Sequence, residues 1–159
     1  MTRRSLISAL PLPVLLPRVL SAMGDTVRIS IDGSDLASPV EITEDVGVFN
    51  VWSGPSTTSN EGQSFIVNWA GGAVQPPNLK PTYQVSFHTT RTKGPKIYRV
   101  LYQIDPSAKT GYVYIPGSDH PAYKDNTWLI LRMVEGKWFR AWNEWEKLAH
   151  PLIAKARKT

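Results

Sequence analysis

No cysteine occurs among the 159 residues, so the chain forms no disulfide, builds no thiolate zinc site and offers no cysteine nucleophile. The same absence excludes lipid attachment at an N-terminal cysteine of a processed chain. Histidine is scarce, with three residues at His88, His120 and His150 that are far apart in sequence. There is no glycine-rich phosphate loop with its lysine and hydroxyl, no HExxH and no GxSxG. Gly71-Gly72 is not followed by the helix that a dinucleotide-binding turn requires. No internal repeat and no domain boundary is visible, and the length suits one domain with a real hydrophobic core.

Acidic residues are missing from the first 24 positions, while Arg3, Arg4 and Arg18 lie there. The opening MTRRSLISALPLPVLLPRVLSAMG has a positive start, an apolar middle and small residues at its end. That pattern predicts an export signal over 1–24, cleaved at Ala22-x-Gly24 before Asp25. Thr2-Arg3-Arg4-Ser5-Leu6 fits a twin-arginine signal, which carries folded proteins across a bacterial inner membrane. The expected location is therefore periplasmic or secreted. Pro11, Pro13 and Pro17 break the run, which is too short for a transmembrane helix. Cleavage would lower the formal charge from +5 to +2, an ordinary value that disfavours nucleic acid as a partner.

Beyond the signal, strand patterns dominate. Val27, Ile29 and Ile31 alternate with polar residues and end at the turn Asp32-Gly33. Short strands are predicted at Val40–Thr43 and Val46–Trp52, then STTSNEG reads as an exposed loop. Ser64–Ala70 is predicted as a strand with Phe65, Val67 and Trp69 on one face. GGAVQPPNLKP reads as a long connection, because its glycines and prolines deny helix and central strand.

The organising stretch runs from Tyr83 to Met133. TYQVSFHTT places Tyr83, Val85 and Phe87 on one face, with Gln84, Ser86 and His88 on the other. KIYRVLYQID carries Tyr98, Val100, Tyr102 and Ile104 on one face and Ile97 and Leu101 on the second, as a central strand does. A loop of hairpin length leads from Asp105 to Gly111 and into TGYVYIP. Tyr98, Tyr102, Tyr112 and Tyr114 are expected to stack across that pair and staple the sheet. TWLILRMV is predicted as a fourth strand.

After Gly136 the period changes. Trp138, Trp142, Trp145 and Leu148 fall at helical spacing, predicting one helix over about 137–150 packed on the sheet by its tryptophan stripe. Arg140 and Glu144 make an i,i+4 pair on it. Pro151 is expected to end or kink the helix, and the basic KARKT tail to fray. The fold expected is a mainly β, single antiparallel β-sandwich or open β-barrel domain of residues 25–159 with one C-terminal α-helix.

Residues able to carry chemistry are few. Gly117-Ser118-Asp119-His120-Pro121, with Tyr123, Lys124 and Asp125 after it, gathers a hydroxyl, an imidazole and two carboxylates. Ser118, Asp119 and His120 are the catalytic candidates; no metal site is expected, and the candidate ligands for one are Asp119, His120 and Asp125, whose spacing matches no recognised pattern. Turn chemistry alone accounts for such residues on a loop. The ligand-binding candidates are Tyr112, Tyr114 and Tyr123, with the basic residues Arg91, Lys93 and Lys96 placed to meet an anionic surface. The leading expectation is an exported, non-enzymatic binding or accessory domain without cofactor, whose ligand is a small molecule, a glycan or a protein. The alternatives are a small hydrolase or metal-dependent enzyme built on the Ser118–Asp125 loop, and a structural subunit of a cell-envelope assembly. Nothing in the sequence specifies the oligomeric state.

Overall fold

A computed structural model describes residues 25–57, 64–90, 96–108 and 110–159. The expected signal segment 1–24, most of the STTSNEG loop, and Arg91 and Lys93 lie outside the described residues. Seven strands among these residues make one antiparallel sheet: β1 (Thr26–Asp32), β2 (Val40–Ile42), β3 (Ala73–Val74), β4 (Tyr83–Thr89), β5 (Lys96–Asp105), β6 (Thr110–Ile115) and β7 (Lys137–Arg140). Their order is β2-β1-β4-β5-β6-β7-β3, with β2 and β3 as free ends, so the sheet is open. Among the described residues two helices accompany it, α1 (Tyr123–Leu129) and α2 (Asn143–Ala156). What covers the core face is not a second sheet. It is α2 together with irregular chain around residues 46–52, 64–71 and 130–134. No helix among the described residues is long and apolar enough to cross a membrane.

The alternation read from β4 and β5 matches burial. Tyr83, Val85, Phe87, Tyr98, Val100 and Tyr102 are completely buried, facing Phe49, Phe65 and Trp145. In β1 the alternation fails at its start. The pairing Thr26↔Thr89 is followed directly by Arg28↔His88, so Val27 is bulged out of the ladder. Such a bulge re-aims a side chain, and Val27 is 46 % exposed while Ile29 and Ile31 remain in the core. The hairpin between β5 and β6 forms where expected. The Asp105 carboxylate accepts hydrogen bonds from the backbone and hydroxyl of Ser107 at 2.9 and 2.6 Å, making an Asx turn.

Further sequence expectations are corrected, among them the connection GGAVQPPNLKP, in which Ala73–Val74 forms the edge strand β3 against β7. The tyrosines of β5 and β6 do not share a face. Tyr102 lies opposite Val113, and Tyr114 opposite Leu101, so the register puts Tyr98 and Tyr102 inside and Tyr112 and Tyr114 outside. TWLILRMV is no strand. Thr127-Trp128-Leu129 completes α1, because the edge of β6 that such a strand would use is already taken by β7. Segments 46–52 and 64–70 hold 3-10 turns (Val46–Val48 and Trp69–Gly71) and isolated bridges rather than strands. Phe65, Ile66 and Val67 are all buried, so that segment threads through the core instead of alternating across a sheet face.

The C-terminal helix is corrected too. Lys137–Arg140 pairs with β6 as β7, and the helix starts only at Asn143. Trp138 therefore sits on the outer face against Tyr114, and Arg140 lies over Tyr112 instead of pairing with Glu144. Glu144 pairs with Lys147 at 3.0 Å. Pro151 lies within α2, which continues to Ala156. Proline deletes one backbone hydrogen bond, with residue i−4. Here that residue, Lys147, is exposed, while Trp145, Ala149 and Ile153 hold the opposite side in the core. The tail is pinned. Arg157 reaches the Asp35 carboxylate at 3.1 Å and the Tyr83 hydroxyl at 3.3 Å, and Lys158 donates to the Ser34 carbonyl at 2.9 Å.

Candidate functional site

The Ser118–Asp125 loop is the turn that starts α1. His120 N–H donates to the Gly117 carbonyl and Tyr123 N–H to the His120 carbonyl, both at 3.0 Å. His120 Nδ1 accepts the Ala122 N–H at 3.1 Å, so that ring nitrogen is spent on the turn. Ser118 and Asp119 are exposed, and no hydrogen bond among the described residues joins either of them to His120. Asp125 lies 3.6 Å from Arg99. No group of three His, Asp or Glu residues suited to a metal ion occurs among the described residues. The loop borders two open clefts, one beside Ser118 and Tyr123 and one between Arg99 and His120. Tyr112 and Tyr114 carry Arg140 and Trp138 on the outer face, Tyr123 is half-buried, and Lys96 opens β5.

Three polar networks lie where the sequence pattern does not reveal them. Arg132 is completely buried. Its guanidinium donates to the Val51 carbonyl, and at 3.1 Å to both the Ser53 carbonyl and the Tyr98 hydroxyl. It also lies 5.0, 5.2 and 5.3 Å from the ring centroids of Phe65, Trp69 and Tyr98. A rigid planar fork with five donors suits such a site, and aromatic faces attract the cation. Arg132 thus ties the segment after α1 to the irregular chain on the core face.

The second network joins β5 to α2. The Tyr102 hydroxyl donates to Glu146 Oε1 at 2.7 Å, and His150 Nε2 lies 2.6 Å from Glu146 Oε2. Burial pushes the Glu146 carboxyl above the usual range, although Tyr102 and His150 pull the other way. Burial, with the Glu146 charge beside it, likewise raises the Tyr102 phenol. With Tyr102 fully buried, this trio locks a helix to a sheet and gives a reactant no access to the phenol. The third network is the Tyr83–Asp35–Arg157 clamp at the C-terminus.

A concavity with a largely apolar lining lies elsewhere, between β2 with its 3-10 turn and α2. It is an open cleft of about 500 Å³, within the range of about 300–1,000 Å³ usual for small-ligand sites. Ile42, Val48, Phe49, Leu148 and Leu152 provide its apolar lining, and Glu41, Glu44, Asp45 and Glu144 its carboxylates. Glu41 is partly neutralised by Arg28 at 2.8 Å and Glu144 by Lys147. Glu44 and Asp45 form no ion pair with any described residue. Asp45 holds a left-handed backbone conformation (φ 56°), which turns the chain from β2 into Val46. The two halves of this cleft are about a hundred residues apart, and no sequence motif joins them. Only the short alternation of Ile42 and the i,i+4 spacing of Leu148 and Leu152 hint at it.

No family model matches the chain, and neither the curated proteins nor the solved structures yield a significant match.

Proposed function

We propose that this is an exported, non-enzymatic binding domain whose cleft between β2 and α2 takes an amphipathic cation, an apolar body bearing an ammonium or guanidinium group. The observation that carries the reading is the pairing of an apolar lining with the carboxylates of Glu44 and Asp45, which form no ion pair among the described residues. Apolar lining with a few placed charges is the usual composition of a small-ligand site, where the apolar part supplies affinity and the charge orientation. Export rests on the N-terminal pattern of basic start, apolar middle and small residues. An exported ligand-binding domain needs no cofactor, and its rigid sheet gives α2 a fixed seat from which Leu148 and Leu152 present the cleft wall.

Calorimetric titration of the full chain with octylguanidinium, against octanoate as the matching anion, tests this. Saturable binding of the cation alone is expected. The double substitution Glu44→Gln, Asp45→Asn should weaken it at least about tenfold, the equivalent of 1.4 kcal/mol. Asn tolerates the left-handed conformation at position 45, so folding is not at stake. Equal binding of octanoate, or binding indifferent to the double substitution, would overturn the reading.

A further inference from the structure

Residues 128–133 invert the usual order of burial. Trp128 is 79 % exposed, Leu131 52 % and Met133 72 %, while the arginine between the last two is completely buried. Single exposed apolar residues are ordinary, but three large ones within six positions mark an interaction surface. Arg132 holds them out. Its side chain is anchored among Phe65, Trp69 and Tyr98, so its sequence neighbours face the opposite way. Met133 sits at φ 67°, a left-handed conformation uncommon for a residue other than glycine. The backbone is thus held in a costly shape that keeps a methionine in water.

The charge around this projection is mainly basic, the Glu135 carboxylate being engaged by the Arg132 N–H at 2.6 Å. Lys96, Arg99 and Trp128 line one cleft of about 270 Å³, with Asp125 already tied to Arg99. Lys124 is exposed one helical turn before Trp128, on the same side of α1.

We infer that this surface is a membrane-docking face for anionic lipid, with Trp128, Leu131 and Met133 entering the headgroup boundary and Lys96, Arg99 and Lys124 meeting the phosphates. Tryptophan with aliphatic side chains, bordered by lysine and arginine, is the composition that lies in a bilayer interface. A sugar platform uses the flat ring of Trp128 but has no use for Leu131 and Met133 in water. A nucleic acid surface requires more phosphate contacts than the three basic residues counted among the described residues provide.

Because the chain has no cysteine, one can be introduced and labelled alone. Full-length chain carrying Met133→Cys, labelled with an environment-sensitive fluorophore, is titrated with vesicles of phosphatidylglycerol and phosphatidylcholine, then with phosphatidylcholine alone. Ala108→Cys, exposed beyond the opposite end of β5, is the reference position, which separates docking of this face from attachment by residues 1–24. A blue shift at position 133 but not 108, on the anionic vesicles, is expected. Replacing Lys96 or Lys124 by Gln should weaken the partitioning by roughly fivefold for each charge, and added salt should weaken it further. No shift at 133, or equal shifts at both positions, would overturn the proposal. So would a shift with a single-stranded oligonucleotide but not with vesicles, or one that grows with protein concentration in the absence of lipid.

Discussion

The side-chain amide of Asn126 pairs with the backbone of Arg99 as a neighbouring strand would. Its Oδ1 accepts the Arg99 N–H at 2.9 Å, and its Nδ2 donates to the Arg99 carbonyl at 2.6 Å. The reason is topological. β6 ends at Ile115 and pairs with β5 only from Leu101 onward, so the edge of β5 at Arg99 has no strand beside it on that side. An unpaired buried backbone edge is costly, and one asparagine from α1 satisfies both groups. Asn126 is itself buried, which makes it the pin that seats α1 on the sheet.

Replacing Asn126 by Ala should therefore cost about 1–3 kcal/mol for the orphaned groups. Asn126→Asp keeps the acceptor but loses the donor, and should recover only part of that loss. Urea unfolding of both variants checks the order, and hydrogen exchange at the Arg99 amide should accelerate in each. A silent Asn126→Ala would mean that the edge is otherwise satisfied.

Arg132→Lys should destabilise almost as much as Arg132→Ala, by about 3 kcal/mol or more, because a point charge cannot reach three divergent acceptors and leaves a buried ion poorly bonded. Arg132→Met replaces the volume without the charge and should be the mildest of the three. Denaturant midpoints at neutral pH give the ranking. Lysine outperforming methionine would show that charge, rather than the fork, is what this position requires.

Gly111 lies where the Tyr102 ring and the Glu146 carboxylate converge, and an added Cβ would collide with both. Gly111→Ala should lower stability by about 1–3 kcal/mol through overpacking and break the Tyr102–Glu146 hydrogen bond. At Gly47 a Cβ would meet nothing within 4 Å, so Gly47→Ala should be neutral or slightly stabilising. Thermal melts of the pair separate a steric requirement from a general preference for glycine.

His88 supplies a pH dependence. Burial first, then the Arg28 charge, lowers its pKa from the ordinary 6.5. Its ring nitrogens lie 3.1 Å from Arg28 Nη2 and 3.2 Å from Ser30 Oγ. The unfolded chain thus takes up a proton near pH 6.5 that the folded chain resists. The stability contribution is complete above that pH and declines as pH falls below it toward the lowered folded value. His88→Gln removes the titration, so the loss of stability between pH 7 and pH 5 should be smaller than in the parent chain. Parallel curves for the two proteins would show that His88 does not carry the slope.

Much of the sheet was legible because strand alternation is a local signal. The inner residues of β4 and β5 and the β5–β6 hairpin stand where period and turn residues place them. The readings that failed concern partners rather than propensities. KWFR follows a helical stripe of tryptophans, yet becomes β7 because β6 offers it an edge. TWLILRMV has the composition of a strand, yet divides into helix and extended chain because β7 takes the β6 edge beside it. The candidate cleft was illegible for the same reason, since Asp45 and Leu148 belong to one surface only after β2 and α2 pack together.

By itself the sequence determined that this chain is β-rich, without thiol chemistry, with the inner faces of its central strands marked and, of its C-terminal helix, the part from Trp145 onward. Only the tertiary structure decided that Tyr102 points inward and Tyr112 outward, that Arg132 is buried while Leu131 and Met133 face water, and that carboxylates from β2 and α2 share a cleft. Period and composition act over a few residues. Register, edge occupancy and buried hydrogen bonds depend on which distant segment arrives as partner.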